Sequence, residues 1–173
     1  MAWNIDTSHS EVSFAVRHMM ISTVRGQFKK FSGTINIDET TPANSSVEVA
    51  IDVASIDTRD EKRDGHLASP EFFDAATFPN ITFKSTSIEV TGENAGKIHG
   101  DLTVKGVTHP VVLDTNFVGK AKSPWGTTSA GFNASTKINR ADYGLSWNVA
   151  LETGGILVGE EVTITIELEV VQS

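Results

Sequence analysis

The segment Glu160-Glu161-Val162-Thr163-Ile164-Thr165-Ile166-Glu167-Leu168-Glu169-Val170-Val171 alternates apolar and polar residues for almost its whole length. Successive side chains of a strand point to opposite faces, so this segment predicts a β-strand with one apolar and one polar face. The same alternation recurs through most of the chain. Such strands must hide their apolar faces against one another. The function therefore depends on whether the enclosed space is filled by side chains or left open.

The composition narrows the class of protein. The 173 residues are 39% hydrophobic and 21% charged, which fits one globular domain over residues 1–173. The net charge of -8 disfavours capture of nucleic acid or anionic membrane by bulk attraction, because both need a positive field. The absence of cysteine excludes disulfides, thiolate metal sites and cysteine nucleophiles. We predict no nucleic-acid partner.

The sequence predicts neither a membrane-spanning nor a secretory segment. No window approaches eighteen apolar residues, and Met1–Asp6 lacks the charged and apolar regions of a signal peptide. As written, the chain is predicted to be cytoplasmic, without stable membrane insertion. A mature form whose signal had been removed would instead be periplasmic or secreted.

Strand candidates follow one another with turn residues between them. Besides the terminal strand they are Val12–Met19, Val24–Ile37, Val47–Val53, Ile81–Val90, Lys97–Lys105, Val107–Val118, Thr127–Ile138 and Leu145–Leu151. Within Val24–Ile37 the apolar parity changes between Phe28 and Phe31, which indicates a β-bulge near Lys29-Lys30. Eight or nine strands of this kind predict an all-β barrel.

One stretch interrupts the alternation. Residues 58–67 are charged and aperiodic, and Thr58 stands three residues before Glu61 as a capping box requires, so we predict one short helix there. The following segment, Ser69–Pro79, contains Phe72, Phe73 and Phe78. This helical excursion near residues 58–78 is predicted to cover one end of the barrel. The alternative is that its phenylalanines only anchor it to the core.

Four motifs stand in order along the chain. The first is Asp6-x-x-His9-Ser10-x-Val12-x-Phe14-x-Val16-x-His18. The second joins Arg63-Asp64-x-His66-Leu67-x-Ser69-x-x-Phe72-Phe73-Asp74 to Phe78-Pro79-x-Ile81-x-Phe83. The third is Gly100-Asp101-Leu102-Thr103-Val104-Lys105-Gly106-Val107-Thr108, and the fourth is Ile138-Asn139-Arg140-x-x-Tyr143-Gly144. With these motifs, the chain resembles the bacterial YceI-like polyisoprenoid-binding family over essentially its full length.

The resemblance implies a fold and a ligand. The implied fold is an elongated, eight-stranded, antiparallel lipocalin-like barrel, a single YceI-like domain. The implied ligand is an amphiphilic polyisoprenoid, such as an isoprenoid quinone or a polyprenyl lipid, held in an apolar tunnel. No other cofactor is implied. Relatives of this kind also suggest a homodimer and, in many cases, a periplasmic location.

Strand parity predicts the lining of the tunnel. We select apolar residues on the inward parity, together with the phenylalanines of the excursion, which would close one end. The predicted ligand-binding residues are Phe14, Val16, Val49, Ile51, Phe72, Phe73, Phe78, Phe83, Leu102, Val104, Phe132, Trp147, Ile164 and Ile166. The alternative for each is an ordinary core position, because parity does not distinguish a core residue from a lining residue.

Arg17 and Arg140 are candidates for contact with a ligand head group. Guanidinium groups suit phosphate and carbonyl acceptors, and either residue could face the tunnel mouth. The alternative for Arg17 is an outward, solvated charge, since its parity is opposite to that of Val16. The alternative for Arg140 is a structural role at the corner before Tyr143-Gly144.

We predict neither a metal site nor catalysis. His9 and His18 would face opposite ways on an uninterrupted strand, and no carboxylate partner is evident for either. His66, His99 and His109 are scattered and form no recognisable catalytic motif. The chain is predicted to be a non-enzymatic carrier, store or scavenger. The alternatives are an enzyme of this fold acting on a small hydrophobic substrate at the barrel mouth, and a packed barrel serving as a stress or interaction protein.

Overall fold

Strands make up most of the structure, a computed structural model that describes residues 2–149, 151 and 157–172. The strands are β1 (Ala2–Ile5), β2 (Glu11–His18), β3 (Ser22–Phe28), β4 (Phe31–Asn36), β5 (Ser46–Asp52), β6 (Ile56–Asp57), β7 (Asn80–Gly92), β8 (Ala95–Val104), β9 (Val107–Lys122), β10 (Thr128–Asn139) and β11 (Val158–Gln172). Helix α1 spans Glu61–Ala68. Short 3-10 turns cover Thr7–His9, Pro42–Asn44, Val53–Ser55 and Arg140–Tyr143.

The strands form one closed antiparallel barrel. Their order is β1-β4-β5-β7-β8-β9-β10-β11-β2-β3-β6, and β1 also pairs with β11. β1 and β2 pair with opposite ends of β11, so they are successive parts of one barrel strand. β3 and β4 form a second such pair, because β3 lies beside β2 and β4 beside β1 and β5. Counted in this way, the described residues form the predicted eight-stranded barrel.

The predicted irregularity at Lys29-Lys30 is a complete break between two strands. β3 ends at Phe28 and β4 begins at Phe31, and the sheet neighbour changes between them. The backbone N–H groups of Lys29 and Lys30 donate to Ser55 O (3.1 Å) and Ser55 Oγ (3.0 Å). The apolar parity shifts here because the long strand passes from one neighbour to another, which is a larger change than a bulge.

The predicted strand Leu145–Leu151 is wrong over residues 145–149, which form no strand. Residue 150 lies outside the described residues. Leu145 is buried and Trp147 lies on the inner wall of the barrel, whereas Ser146 is exposed. The apolar residues of this segment alternate because Leu145 and Trp147 pack toward the barrel interior. The segment forms no sheet ladder; it is held by the Arg140 side chain and by single backbone hydrogen bonds at Leu145 and Val149.

Helix α1 lies within the predicted excursion, but its cap differs from the prediction. Asp60 is the N-cap, and its Oδ1 accepts from the backbone N–H groups of the second and third helical residues, both at 3.1 Å. Thr58 is buried and donates its hydroxyl to Asp64 Oδ1 (2.5 Å). The predicted capping box from Thr58 is wrong, because Asp60 occupies the N-cap position instead. A carboxylate is favoured there by the positive end of the helix dipole. No helix in the described part of the chain could span a bilayer.

The connections between strands define two ends of the barrel. The helix end carries α1, residues 69–79, the β2–β3 and β8–β9 turns and the Arg140–Tyr143 turn. The hairpin end carries the β4–β5, β7–β8 and β9–β10 turns. A large buried cluster lies toward the helix end: Val12, Phe28, Val53, Ile56, Ile81, Phe83, Leu102, Val104, Leu113, Tyr143 and Leu145. A smaller cluster lies at the hairpin end: Trp3, Ile35, Ala130 and Val170.

Candidate ligand cavity

An apolar cavity of about 810 Å³ occupies the interior of the barrel. Its volume lies within the range of about 300–1,000 Å³ that is typical of small-molecule sites. The inward-facing side chains of Val16, Val49, Ile164 and Ile166 are only half-buried, although a packed interior would cover them completely. The barrel interior is therefore not filled by side chains. This contradicts the alternative of a barrel with a fully packed interior.

Thirteen of the fourteen predicted ligand-binding residues lie on the wall of this cavity. They are Phe14, Val16, Val49, Ile51, Phe72, Phe73, Phe83, Leu102, Val104, Phe132, Trp147, Ile164 and Ile166. On the strands, parity brings them together as cross-strand neighbours: Phe14 is opposite Ile164, and Val49 is opposite Phe83. Contact of these residues with a ligand stays a prediction.

Phe78 differs from the other predicted ligand-binding residues because it does not lie on the wall of this cavity, and its contact with a ligand stays a prediction. Its half-buried ring packs at the turn between β8 and β9, where a Cβ on Gly106 would lie 2.8 Å from Phe78 Cε1. Gly106 has φ +75°, a conformation that glycine adopts readily. Phe78 therefore packs the excursion against a tight turn, whereas the alternative for these phenylalanines had them anchor it to the core.

Phe72 and Phe73 close the helix end from the inside. Phe72 is 5% exposed, and its ring centroid lies 5.2 Å from that of His66 and 5.5 Å from that of Trp147. The Phe73 ring lies 6.1 Å from Phe28 in an edge-on arrangement. These separations are favourable for aromatic pairs. The excursion therefore covers one end of the barrel, as the sequence predicted.

Arg140 is buried on the cavity wall and binds four backbone carbonyls. Its Nε donates to Gly159 O (2.7 Å) and its Nη2 to Val158 O (3.2 Å). Its Nη1 donates to Trp147 O (3.1 Å) and to Leu145 O. Burial lowers the pKa of the guanidinium from its ordinary value. These contacts match the structural alternative, and head-group contact by Arg140 stays a prediction.

Arg17 borders the cavity from the exposed side of β2. Its Nη1 donates to Thr23 Oγ1 (3.2 Å) and its Nη2 to Met20 O (3.1 Å). Both acceptors belong to the β2–β3 hairpin, so the side chain lies along the outside of that hairpin. This position matches the outward alternative, and head-group contact by Arg17 stays a prediction.

Charged wall residues separate by sign along the barrel, which the sequence analysis missed. The helix end holds the cations Arg17, Arg63 and Arg140, beside the histidines His18 and His66, which are not counted as charges. The hairpin end holds Asp38, Glu39, Glu89, Glu93 and a single cation, Lys120. Among the described wall residues, carboxylates occur only at the hairpin end. No linear motif signals this pattern, because the charges come from separate connections that only the barrel brings together.

His9 has carboxylate partners, which contradicts the sequence expectation. Its Nδ1 lies 2.8 Å from Asp6 Oδ2 and 3.8 Å from Glu169 Oε2. His9 belongs to the 3-10 turn Thr7–His9, so the parity argument for an uninterrupted strand does not apply. His18, by contrast, lies on the cavity wall. The sequence could not reveal the Glu169 contact, because that residue lies at the other end of the chain.

The contacts of His9 predict that the folding stability depends on pH. The hydrogen bond to Asp6, followed by the charges of Asp6 and Glu169, raises the pKa of His9. Hydrogen bonds from Ser8 and His9 lower the pKa of Asp6. The His9 contribution to stability is complete below the unfolded histidine pKa and is lost as the pH rises through the raised folded value. The Asp6 contribution is present above the unfolded carboxyl pKa and is lost as the pH falls through the lowered folded value.

We expect the His9 ring protons to titrate in NMR with a midpoint above about 6.5, the ordinary histidine value. Asp6→Asn removes the main cause of the shift, so it should lower this midpoint. Asp101→Asn, an exposed change elsewhere on the barrel, is the control and should leave it unaltered. A His9 midpoint that is the same in Asp6→Asn and in the native protein would contradict the assigned cause.

The sequence and the fold both match known proteins. Residues 3–170 match the family described as the YceI-like domain. The chain is 40% identical over 164 residues to Protein YceI of Escherichia coli strain UMN026, covering 95% of this chain and 82% of that protein. BcnA of Burkholderia cenocepacia has a TM-score of 0.84 at 29% identity, covering 95% of this chain and 98% of BcnA. A polyisoprenoid binding domain from Saccharophagus degradans shares the fold, with a TM-score of 0.70 at 16% identity over 97% of each chain.

Proposed function

The chain belongs to the YceI-like family, and we propose that it binds an amphiphilic polyisoprenoid in its barrel cavity, as a carrier, store or scavenger. The proposed ligand class is an isoprenoid quinone or a polyprenyl lipid. The observation that carries the proposal is the open cavity of about 810 Å³, walled by inward-facing aliphatic and aromatic side chains. The similar domain from Saccharophagus degradans is described as polyisoprenoid binding, which supports the same class of ligand.

Transfer of an isoprenoid tail from water into this cavity supplies the binding free energy. Each buried methylene-sized unit contributes about 0.8 kcal/mol, so ten such units contribute on the order of 8 kcal/mol. Ordering the flexible tail and immobilising the ligand offset part of this gain. Residues such as Val49, Ile51 and Ile164 need only exclude water, so binding of the tail requires no charged or catalytic group.

The catalytic alternative has weaker support. It calls for two close carboxylates inside the cavity that titrate at shifted pH. Asp38, one of the acidic wall residues at the hairpin end, accepts hydrogen bonds from the N–H groups of Thr41 (2.8 Å) and Thr40 (3.0 Å). The bond from Thr41, with that from Thr40, lowers the pKa of Asp38. Asp38 is therefore an anion that stabilises its own turn, which is a structural role and not the raised pKa expected of a catalytic acid. We propose a non-enzymatic role for the chain.

Lipid extraction tests the proposed function. We expect organic solvent to release a stoichiometric polyprenyl compound from protein purified from its host, with the compound identified by mass spectrometry. After delipidation, the folded protein should take up solanesol, a long polyprenol, from detergent micelles. A folded protein that yields no lipid on extraction and takes up no solanesol would rule out the proposal.

A further inference from the structure

We propose that the hairpin end of the barrel docks on a zwitterionic phospholipid bilayer, so that a lipid passes between membrane and cavity without crossing water. The docking surface consists of exposed apolar residues at the hairpin end: Val90 on β7, Phe117 and Val118 on β9, and Trp125 in the β9–β10 turn, which are 54%, 38%, 68% and 86% exposed. We call it the hairpin-end patch. The transfer of a lipid through this patch rests on the proposed function. The docking of the patch on a bilayer can be tested separately.

The wall of the cavity continues onto the protein surface at the hairpin end. Val90 and Phe117 line the cavity and are also exposed. At the helix end, the wall residues Phe72 and Arg140 are 5% and 4% exposed and are covered by the excursion and the corner around them. Among the described residues, an apolar path from the interior to the outside therefore leads through the hairpin-end patch.

A braced turn holds Trp125 in solvent. The Ser123 N–H donates to Thr127 O (2.8 Å), and the Gly126 N–H donates to Ser123 O (3.2 Å). Ser123 Oγ also accepts from the Trp125 N–H at 3.2 Å and lies 2.6 Å from Thr127 Oγ1. An ordered hairpin tip that presents an indole to water indicates a binding surface rather than a loose loop, because apolar exposure is unfavourable.

The chemistry of this hairpin suits a membrane interface. Indole rings concentrate at the head-group level of bilayers because they join an apolar body to a polar N–H. The stretch from Phe117 to Thr127 carries Lys120 and Lys122 and no acidic residue, although the chain has a net charge of -8. Ammonium groups at this level attract the lipid phosphates.

The sign of the charges around the mouth selects the kind of bilayer. Glu89 and Glu93 are exposed wall residues beside the patch, and they repel a surface of net negative charge. Lys120 pairs with Glu39 across the mouth, which leaves its charge partly neutralised. A zwitterionic surface offers phosphates to the hairpin without a repulsive net field, so phosphatidylcholine vesicles are the matching probe.

Vesicle binding by the full chain tests the docking. Trp3 is 1% exposed and Trp147 lines the cavity, so the part of a vesicle-induced blue shift of tryptophan emission that Trp125→Ser removes reports on Trp125. We expect the native protein to shift and to float with phosphatidylcholine vesicles. Trp125→Ser should lose the shift and at least about tenfold in vesicle affinity. Ile21→Ser, at the helix end, removes a side chain that is 78% exposed and should bind as the native protein does.

Three results would overturn the docking proposal. The first is that Trp125→Ser and the native protein bind vesicles with equal affinity. The second is that only Ile21→Ser loses vesicle binding. The third is that the native protein is a dimer that does not bind vesicles and that Trp125→Ser dissociates. Urea unfolding midpoints should agree for both variants and the native protein, since both side chains are exposed.

Solanesol transfer separates this inference from the proposed function. Native protein that takes up solanesol from micelles, but neither floats with phosphatidylcholine vesicles nor extracts solanesol from them, contradicts docking alone. Native protein that yields no lipid on extraction and takes up no solanesol from micelles contradicts the proposed function, and flotation still decides docking. Two results together would support the proposed function and docking. The native protein, Trp125→Ser and Ile21→Ser should all take up solanesol from micelles, and only Trp125→Ser should extract it from vesicles more slowly.

Discussion

Ile164→Trp is expected to abolish polyisoprenoid binding while leaving the barrel folded. Ile164 lies on the inner face of β11, opposite Phe14 and Thr136, and its side chain is only half-buried because it faces the open cavity. An indole there takes space that the tail would occupy. If about four methylene-sized units are displaced, the loss is about 3 kcal/mol, or more than 100-fold in affinity.

Thr165→Trp is the matched control for this substitution. Thr165 is the next residue of the same strand and is exposed on the outer face, so the same ring is added outside the cavity. Solanesol uptake from micelles measures binding, and urea unfolding measures the fold. Similar solanesol affinities for the two folded variants would remove Ile164 from the proposed lining. Val104→Trp is less informative, because Val104 is 4% exposed and overpacking there costs about 1–3 kcal/mol of stability.

Val104 and Ile164 show what strand parity can and cannot predict. Parity correctly gives the face of each strand that points inward, because side chains alternate strictly along the pleat. It does not tell whether an inward residue meets a neighbour or empty space. Both residues lie on the cavity wall, but Val104 is 4% exposed within the core cluster at the helix end, whereas Ile164 is only half-buried. That difference depends on the closure of the barrel, which joins strands far apart in the sequence.

Local competition between residues explains other differences between prediction and structure. Thr58 and Asp60 are both acceptable caps for α1, and a short-range motif does not decide between them. The structure selects Asp60, while Thr58 is buried against Asp64. Similarly, residues 145–149 have the apolar alternation of a strand, but the carbonyls of Leu145 and Trp147 accept from the Arg140 side chain rather than from a neighbouring strand.

Arg140→Met is expected to lower the free energy of unfolding by about 3–5 kcal/mol. The methionine has a similar length, but it removes every hydrogen bond from the guanidinium to the carbonyls of Leu145, Trp147, Val158 and Gly159. Each buried carbonyl left without a donor costs about 1–3 kcal/mol unless water reaches it. Arg140→Lys keeps the charge but lacks the planar fork of donors, so it should lose an intermediate amount.

Arg17→Met makes the same chemical change at an exposed arginine. Arg17 donates only to hairpin acceptors on the surface, so we expect its loss to cost less than about 1 kcal/mol. Urea unfolding of the three variants and the native protein measures these differences, and solanesol uptake measures binding. Equal losses of stability at both arginines would contradict the structural role of Arg140. A stable Arg140→Met protein with weakened binding of a polyprenyl phosphate, but not of solanesol, would instead assign Arg140 to the head group.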